Sequence, residues 1–242
     1  MKILLTGHKG FVGEELLKKL TAHQVVTIDK QDGVDLLTCD LPDVDLVIHL
    51  AGASGIGYSL ENPKHYWDNN VMVTKRIFDR YKSIRVMYAS SSTAKEPVRN
   101  PYAMTKHTME RMAPQTSLGL RFCTIYNDSQ KRPNMLFPRL FRNELKYIHT
   151  NHQRDFIHID DITDAICFLM NRPVTGVLDI GTGVSTPLKK ITDYFDLEVE
   201  ERIGDDTERL CNKADVSKLK ELGWSSKIEL FDCLNKQKDL TL

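Results

Sequence analysis

The chain has 242 residues, with 33 lysines and arginines balanced by 33 aspartates and glutamates and 41% hydrophobic residues, enough to enclose a core in one main domain with a small lobe. Its zero formal net charge removes the global electrostatic case for nucleic acid or an anionic membrane and points to a small-molecule partner. Five widely spaced cysteines without a CxxC pair predict reduced thiols, and the lack of a signal-peptide core or a membrane-length apolar run predicts a cytoplasmic protein.

In chain order, Ile3-Leu4-Leu5, Val25-Val26-Thr27-Ile28 and Leu46-Val47-Ile48-His49-Leu50 read as buried parallel strands, with a helix over Glu14 to Leu20 between the first two. That order is βαβ, hence a parallel sheet with right-handed crossovers. Asn62-Pro63, Asn100-Pro101 and Thr186-Pro187 each place a capping side chain before a proline and predict helix starts. The first helix is expected to run to about Tyr81 and the second to about Gln115, with a strand at Arg85 to Ala89 between them. Further strands are expected near Leu118 to Ile125, Phe156 to Ile159 and Val177 to Ile180, with a helix over Asp161 to Met170. The polar segment Asn127 to Asn151, with a helix after Pro138, and the chain from Ser185 onward fit the sheet poorly and are assigned to a discontinuous lobe. The predicted division is 1–126 plus 152–182 for the main domain and 127–151 plus 183–242 for the lobe.

Between the first strand and its helix, Gly7, Gly10 and Gly13 stand at GxxGxxG spacing. Missing Cβ atoms there let backbone amides approach a pyrophosphate at a helix N-terminus, whose partial positive charge favours anions. Asp29 ends the second strand, where a carboxylate can accept hydrogen bonds from both adenosine ribose hydroxyls and repel a 2′-phosphate, which favours NAD. Lys9, inside the turn, is the residue through which NADP stays an alternative. Tyr102 and Lys106 stand four apart in the helix opened by Asn100-Pro101 and so share a face. A phenol is a poor base at neutral pH unless a nearby cation favours its ionised form. Ser90-Ser91-Ser92-Thr93 close the preceding strand, at the sheet edge where ligands sit in open α/β folds.

Together these residues resemble the extended short-chain dehydrogenase/reductases, specifically the NAD-dependent epimerase/dehydratase family of nucleotide-sugar enzymes. The likeness covers nearly the whole chain: the turn Thr6 to Gly13, Asp29, Asp35-Leu36, His49-Leu50-Ala51-Gly52, Asn70-Val71, Ala89 to Ser92, Pro101 to Lys106 and Arg154 to Asp161. It implies a Rossmann-type doubly wound parallel sheet with a small discontinuous C-terminal substrate-binding lobe, and a homodimer packed through the helices that begin near Asn62 and Asn100. By resemblance, Tyr102 is the acid/base at a sugar hydroxyl, Lys106 holds the nicotinamide ribose, and Ser91, with Ser92 as the fallback, binds the reacting oxygen. Phe11, Val12, Lys30, Asp35, Leu36, Leu50, Ala51 and Gly52 join the glycines and Asp29 at the cofactor. Ser92, Thr124, Asn134, Arg154 and Arg209 fall at the substrate, the arginines and Asn134 at its diphosphate.

The departures are informative. The chain is contracted between Asp35 and Leu46 and in the lobe, Thr124 replaces an asparagine of the family, and Ala94-Lys95-Glu96-Pro97 replaces its Val-Tyr-Gly. Dehydratases of the family place Asp-Glu beside the catalytic threonine, where this chain has Ser92 and Thr93. Epimerisation at C4 through a transient 4-keto sugar is therefore the expected reaction, with ketosugar reduction as the alternative. A non-catalytic dinucleotide-sensing or partner-binding protein is the alternative of another class, and no metal site is expected.

Overall fold

The computed structural model describes residues 1–127 and 135–241. Six strands form one parallel sheet: β1 (Lys2–Thr6), β2 (Gln24–Ile28), β3 (Leu46–His49), β4 (Arg85–Ser91), β5 (Leu118–Phe122) and a sixth, Gly176–Ile180. Their spatial order runs from the sixth through β5, β4, β3 and β1 to β2, with Leu4 opposite Val26 on one side and Val47 on the other.

Side chains alternate across such a sheet, and the core divides accordingly. Ile3, Leu5, Ile48, Met87 and Leu120 pack with Leu16 of the helix α1 (Phe11–Lys19) and with Ile162, Ile166 and Leu169 of the helix Ile159–Met170. On the opposite face Leu4, Val47, Val86 and Tyr88 pack with Val73, Ile77, Phe78 and Met109. Helices thus cover both faces, which is why the inner strands read as continuous apolar runs. The Rossmann-type doubly wound sheet is the fold.

The three Xaa-Pro boundaries meet different fates. Asn100 accepts from the Ala103 amide at 2.7 Å and opens the helix Pro101–Met112. This helix stops short of Gln115 because Ala113, which precedes Pro114, is extended (φ −65°, ψ 132°), as a residue before proline prefers. Asn62 makes no side-chain cap, although Pro63 does begin a helical run through Tyr66, continued as a π-helical turn, Trp67–Met72, and the helix Val73–Arg80. Thr186-Pro187 is not a helix start. It pairs antiparallel with Gln153–Arg154, and the helix begins one residue later, at Leu188.

Beyond the sheet, Tyr126, Phe137, Leu140, Phe156, Ile191, Leu230 and Leu234 form a separate small core. The helix expected after Pro138 begins two residues before it, as Leu136–Phe141, and Tyr147–His149 pairs with Glu200–Arg202. Ala214, Leu219 and Trp224 instead pack against the main core.

Candidate active site

The chain runs from β1 to β2 on one side of the sheet and returns to β3 on the other side of β1, so the loops leaving β1 and β3 splay apart into a crevice. Gly7 turns with φ +75°, and a Cβ on it would sit 2.6 Å from the Ala51 nitrogen. At Gly13 a Cβ would come within 2.1 Å of the Gly7 carbonyl oxygen. Among the described residues, the only atom within 4 Å of a Cβ at Gly10 is that same oxygen, at 3.1 Å. The two outer glycines are therefore required by the chain's own packing, whereas Gly10 faces the crevice. Phe11 and Val12 begin α1, and amides at that position have no carbonyl one turn back to bond. The Val12 side chain packs on the main core, while Phe11 faces a cleft shared with Thr124, Tyr126, Phe137 and Phe156.

The crevice is a cavity of about 290 Å³ lined by Gly7, Gly10, Asp29, Lys30, Asp35, Leu36, Leu50, Ala51, Gly52 and Asn69, among others. It is lined by backbone at Gly7, Gly10 and Gly52 and by the Asp29 carboxylate, and these residues fit a dinucleotide. Asp29 is buried, with one oxygen accepting from the Lys9 amide at 3.0 Å and the other from Gln31 at 2.9 Å. The Lys9 ammonium is paired with Asp32, so a 2′-phosphate at this end would meet two carboxylates around a cation already engaged. Lys30 reaches Asn69 across the crevice at 3.4 Å. Asp35 caps its own turn through the Leu37 amide at 2.9 Å.

The far end of the crevice approaches Tyr102 and Lys106. A Cβ at Gly52 would lie 3.6 Å from Lys106 Nζ and 2.7 Å from Asn70 Oδ1. Lys106 is buried, its ammonium donates to the Ala89 carbonyl at 2.8 Å, and Nζ lies 5.9 Å from the Tyr102 ring centre. Burial pushes its pKa down to about 8, with Glu110 acting in the opposite direction. Tyr102 packs edge-on against Tyr66 at 5.9 Å. The Tyr66 hydroxyl donates to the Ser54 carbonyl at 2.8 Å, and its pKa is raised to about 12 by burial and then by Tyr102.

Four further residues frame the site. Asn70, in the π-helical turn, is fully buried: its carbonyl accepts from the Ala53 amide at 2.8 Å and its amide donates to Thr105 Oγ1 at 3.0 Å. π-Turns concentrate at functional sites because they re-aim one side chain. His49 lies between Thr6 Oγ1 at 2.7 Å and Thr74 Oγ1 at 3.0 Å, and burial, then Lys106, pushes its pKa down to about 3. It is a neutral strut. Asn212, which the sequence did not single out, donates to Thr124 Oγ1 at 3.0 Å and approaches Ser92 Oγ at 3.5 Å. Ser91 Oγ accepts from the Thr93 amide at 3.3 Å and from Thr93 Oγ1 at 3.0 Å.

Arg154 is mostly buried and contacts neither Asp160 nor Asp161. It pairs with Glu208 at 2.5 Å, and Nη1 donates to the Arg209 carbonyl at 2.9 Å. Arg209 pairs with Glu96 at 2.7 Å and donates to the Ser92 carbonyl at 2.8 Å. Segment 205–212 thus links Arg154 and Thr124 to the serine loop, bringing Ser92, Thr124, Arg154 and Arg209 together. Asn134 lies outside the described residues. Among the described residues no group of three His, Cys, Asp or Glu is arranged to hold a metal, and no helix is long and apolar enough to cross a membrane.

The model of the NAD dependent epimerase/dehydratase family matches residues 3–181. Protein CapI of Staphylococcus aureus is 32% identical over 237 residues, covering 72% of this chain and 71% of its own. The structure of MoeE5 in complex with UDP-glucose and NAD superposes with a TM-score of 0.85 at 25% identity, over 100% of this chain and 98% of its own. The UDP-glucuronic acid 4-epimerase of Bacillus cereus, solved with UDP-glucuronic acid and NAD, shares the fold at 24% identity with a TM-score of 0.82, covering 100% and 99%.

Proposed function

The chain belongs to the NAD dependent epimerase/dehydratase family, and we propose that it is an NAD-dependent nucleotide-sugar epimerase acting at C4 through a transient 4-keto sugar. The observation that carries this reading is the continuity between crevice and catalytic pair: Gly52 lines the one, and a Cβ on it would lie 3.6 Å from Lys106 Nζ of the other. Bound in the crevice, the nicotinamide supplies the hydride acceptor and, after the ketone turns over, the hydride donor.

The glycine turn cradles the pyrophosphate, Asp29 holds the adenosine ribose, Lys30, Asp35 and Leu36 border the adenine, and Leu50, Ala51 and Gly52 wall the pyrophosphate side. Tyr102 takes the proton from the sugar O4 as the ketone forms and returns it afterwards. The Lys106 charge beside the phenol favours that transfer, and its ammonium holds the nicotinamide ribose. Ser91 binds O4, with Ser92 and Thr124 beside the sugar, and Arg154 and Arg209 take the diphosphate, which suits the planar guanidinium. Asn134 joins them by resemblance.

Mutation separates the readings. Tyr102→Phe is expected to lose interconversion of UDP-sugar epimers, followed by chromatography, while binding NAD⁺ normally. Unchanged biological activity would favour a dinucleotide sensor, and net consumption of NADPH by the wild type a reductase. The pairing of Lys9 with Asp32 supports NAD over NADP.

A cytoplasmic homodimer completes the proposal. Leu60, Trp67, Met72 and Met104 are each at least 40% exposed on or beside the helical run from Pro63 and the helix Pro101–Met112, an apolar surface suited to a second copy. A single monomeric species in sedimentation would remove it.

A further inference from the structure

Beneath the catalytic pair, five charged side chains alternate in sign: Lys106, Glu110, Arg121, Asp179 and Lys95. Glu110 stands one turn beyond Lys106 on the same helix face, with its side chain 5% exposed. Its carboxylate accepts from Arg121 Nε at 2.8 Å and Nη2 at 2.6 Å, and from Ser90 Oγ. Arg121 lies 3.7 Å from Asp179 Oδ1, and the other Asp179 oxygen accepts from Lys95 and from the Asp215 amide. Ser90 directly follows Ala89, whose carbonyl takes the Lys106 ammonium. One end of β4 therefore fixes both the cation and its nearest anion.

The surroundings of Lys106 give Glu110 its weight. From β3 comes His49, held neutral by burial. Tyr102 shares the helix, Tyr66 packs behind Tyr102, and Tyr88 of β4 and Arg121 of β5 stand beyond Glu110. Of these groups Glu110 is the carboxylate.

We propose that Glu110 is a positioning residue for the reaction, keeping the buried Lys106 protonated and aimed at the dinucleotide ribose and Tyr102. This rests on the role given to Lys106 above. Burial works against the ammonium and Glu110 works for it, so loss of the carboxylate lowers the pH at which Lys106 gives up its proton. Arg121 opposes Glu110, so loss of the guanidinium moves that pH the other way.

The test follows lysine Cε by NMR in ¹³C-lysine-labelled protein, with the Lys106 signal identified by its disappearance in Lys106→Met, alongside calorimetric NAD⁺ titrations from pH 6 to 9. Glu110→Gln is expected to lower the Lys106 midpoint by about one pH unit and to weaken NAD⁺ binding about fivefold at pH 8, with a smaller loss at pH 6. Arg121→Gln is expected to raise the midpoint, a reversal of sign that general damage to packing would not produce. An unchanged midpoint in Glu110→Gln, whatever its melting temperature, overturns the proposal; should that variant not fold, a midpoint that fails to rise in Arg121→Gln does so. If Lys106→Met itself binds NAD⁺ with the wild-type affinity and pH dependence, the role of Lys106 fails instead.

Discussion

The glycines at 7, 10 and 13 share one motif, yet substitution by alanine should separate them. At Gly13 the new methyl would lie 2.1 Å from the Gly7 carbonyl oxygen and 2.7 Å from the His8 Cα, both backbone, so no side-chain rotation relieves it. Overpacking of this kind costs about 3 kcal/mol at the upper end of the usual range. At about 2–4 °C per kcal/mol for a domain of this size, Gly13→Ala should melt about 6–12 °C lower. At Gly10 the methyl meets only the Gly7 oxygen, at 3.1 Å, in an extended conformation (φ −80°) open to alanine, so stability should change by less than about 1 kcal/mol. Gly10 lines the crevice, however, and a methyl that displaces the pyrophosphate from the helix amides should weaken NAD⁺ binding by about 10- to 100-fold, one or two charge-assisted hydrogen bonds. Thermal melts and NAD⁺ calorimetry on both variants check this. A Gly10→Ala protein binding NAD⁺ like the wild type, or a Gly13→Ala protein melting with it, refutes the reasoning.

His49 has its pKa depressed to about 3 in the folded state against an ordinary 6.5, so its stability contribution is intact above pH 6.5 and is lost as pH falls toward 3. The slope from this residue approaches about 1.4 kcal/mol per pH unit inside that window, and urea melts of His49→Gln should show a shallower acid loss between pH 6 and 4. Arg154→Lys, which gives up the planar fork, should weaken UDP binding about tenfold by calorimetry and leave NAD⁺ affinity unchanged. Glu208→Gln, which frees Arg154 of its carboxylate, should tighten UDP binding. Arg76 donates to the carbonyls of Leu36 and Cys39, so Arg76→Met should loosen the contracted 35–39 loop, cost about 2 kcal/mol and raise the Kd for NAD⁺.

What was legible in the sequence was local. The sheet, the glycine turn and the Tyr102–Lys106 pair depend on neighbours within a turn or a strand, where periodicity and backbone demands act directly. The Xaa-Pro pairs show the limit: a cap needs its side-chain oxygen to reach the third helical amide. Asn100, extended at φ −161°, does so, whereas Asn62, at φ −131° and ψ 58°, makes no such bond. Thr186 is drawn into pairing with Arg154, a contact invisible to local reading. The partners around Ser92 and Arg209 lie farther still, Asn212 being 120 residues from Ser92 and Arg209 being 113 from Glu96. No spacing rule reaches that distance.

Asp155 shows how these distant pieces are held together. Its fully buried carboxylate accepts from the Thr182 amide and hydroxyl and from the amides of Gly183 and Ala214, at 2.7 to 3.0 Å. Its backbone donates to Asn212 Oδ1 at 2.7 Å and accepts from the Thr124 amide at 2.9 Å. Both carboxylate oxygens are thus occupied by donors from two separate stretches of chain. Arg154, one residue before it, is thereby fixed relative to Thr124 and Asn212, and Phe156, one residue after, enters the lobe's core. Asp155 thus ties the Thr182–Gly183 turn, Ala214 and Thr124 to one residue, and in the function proposed above Arg154 would meet the diphosphate from that frame.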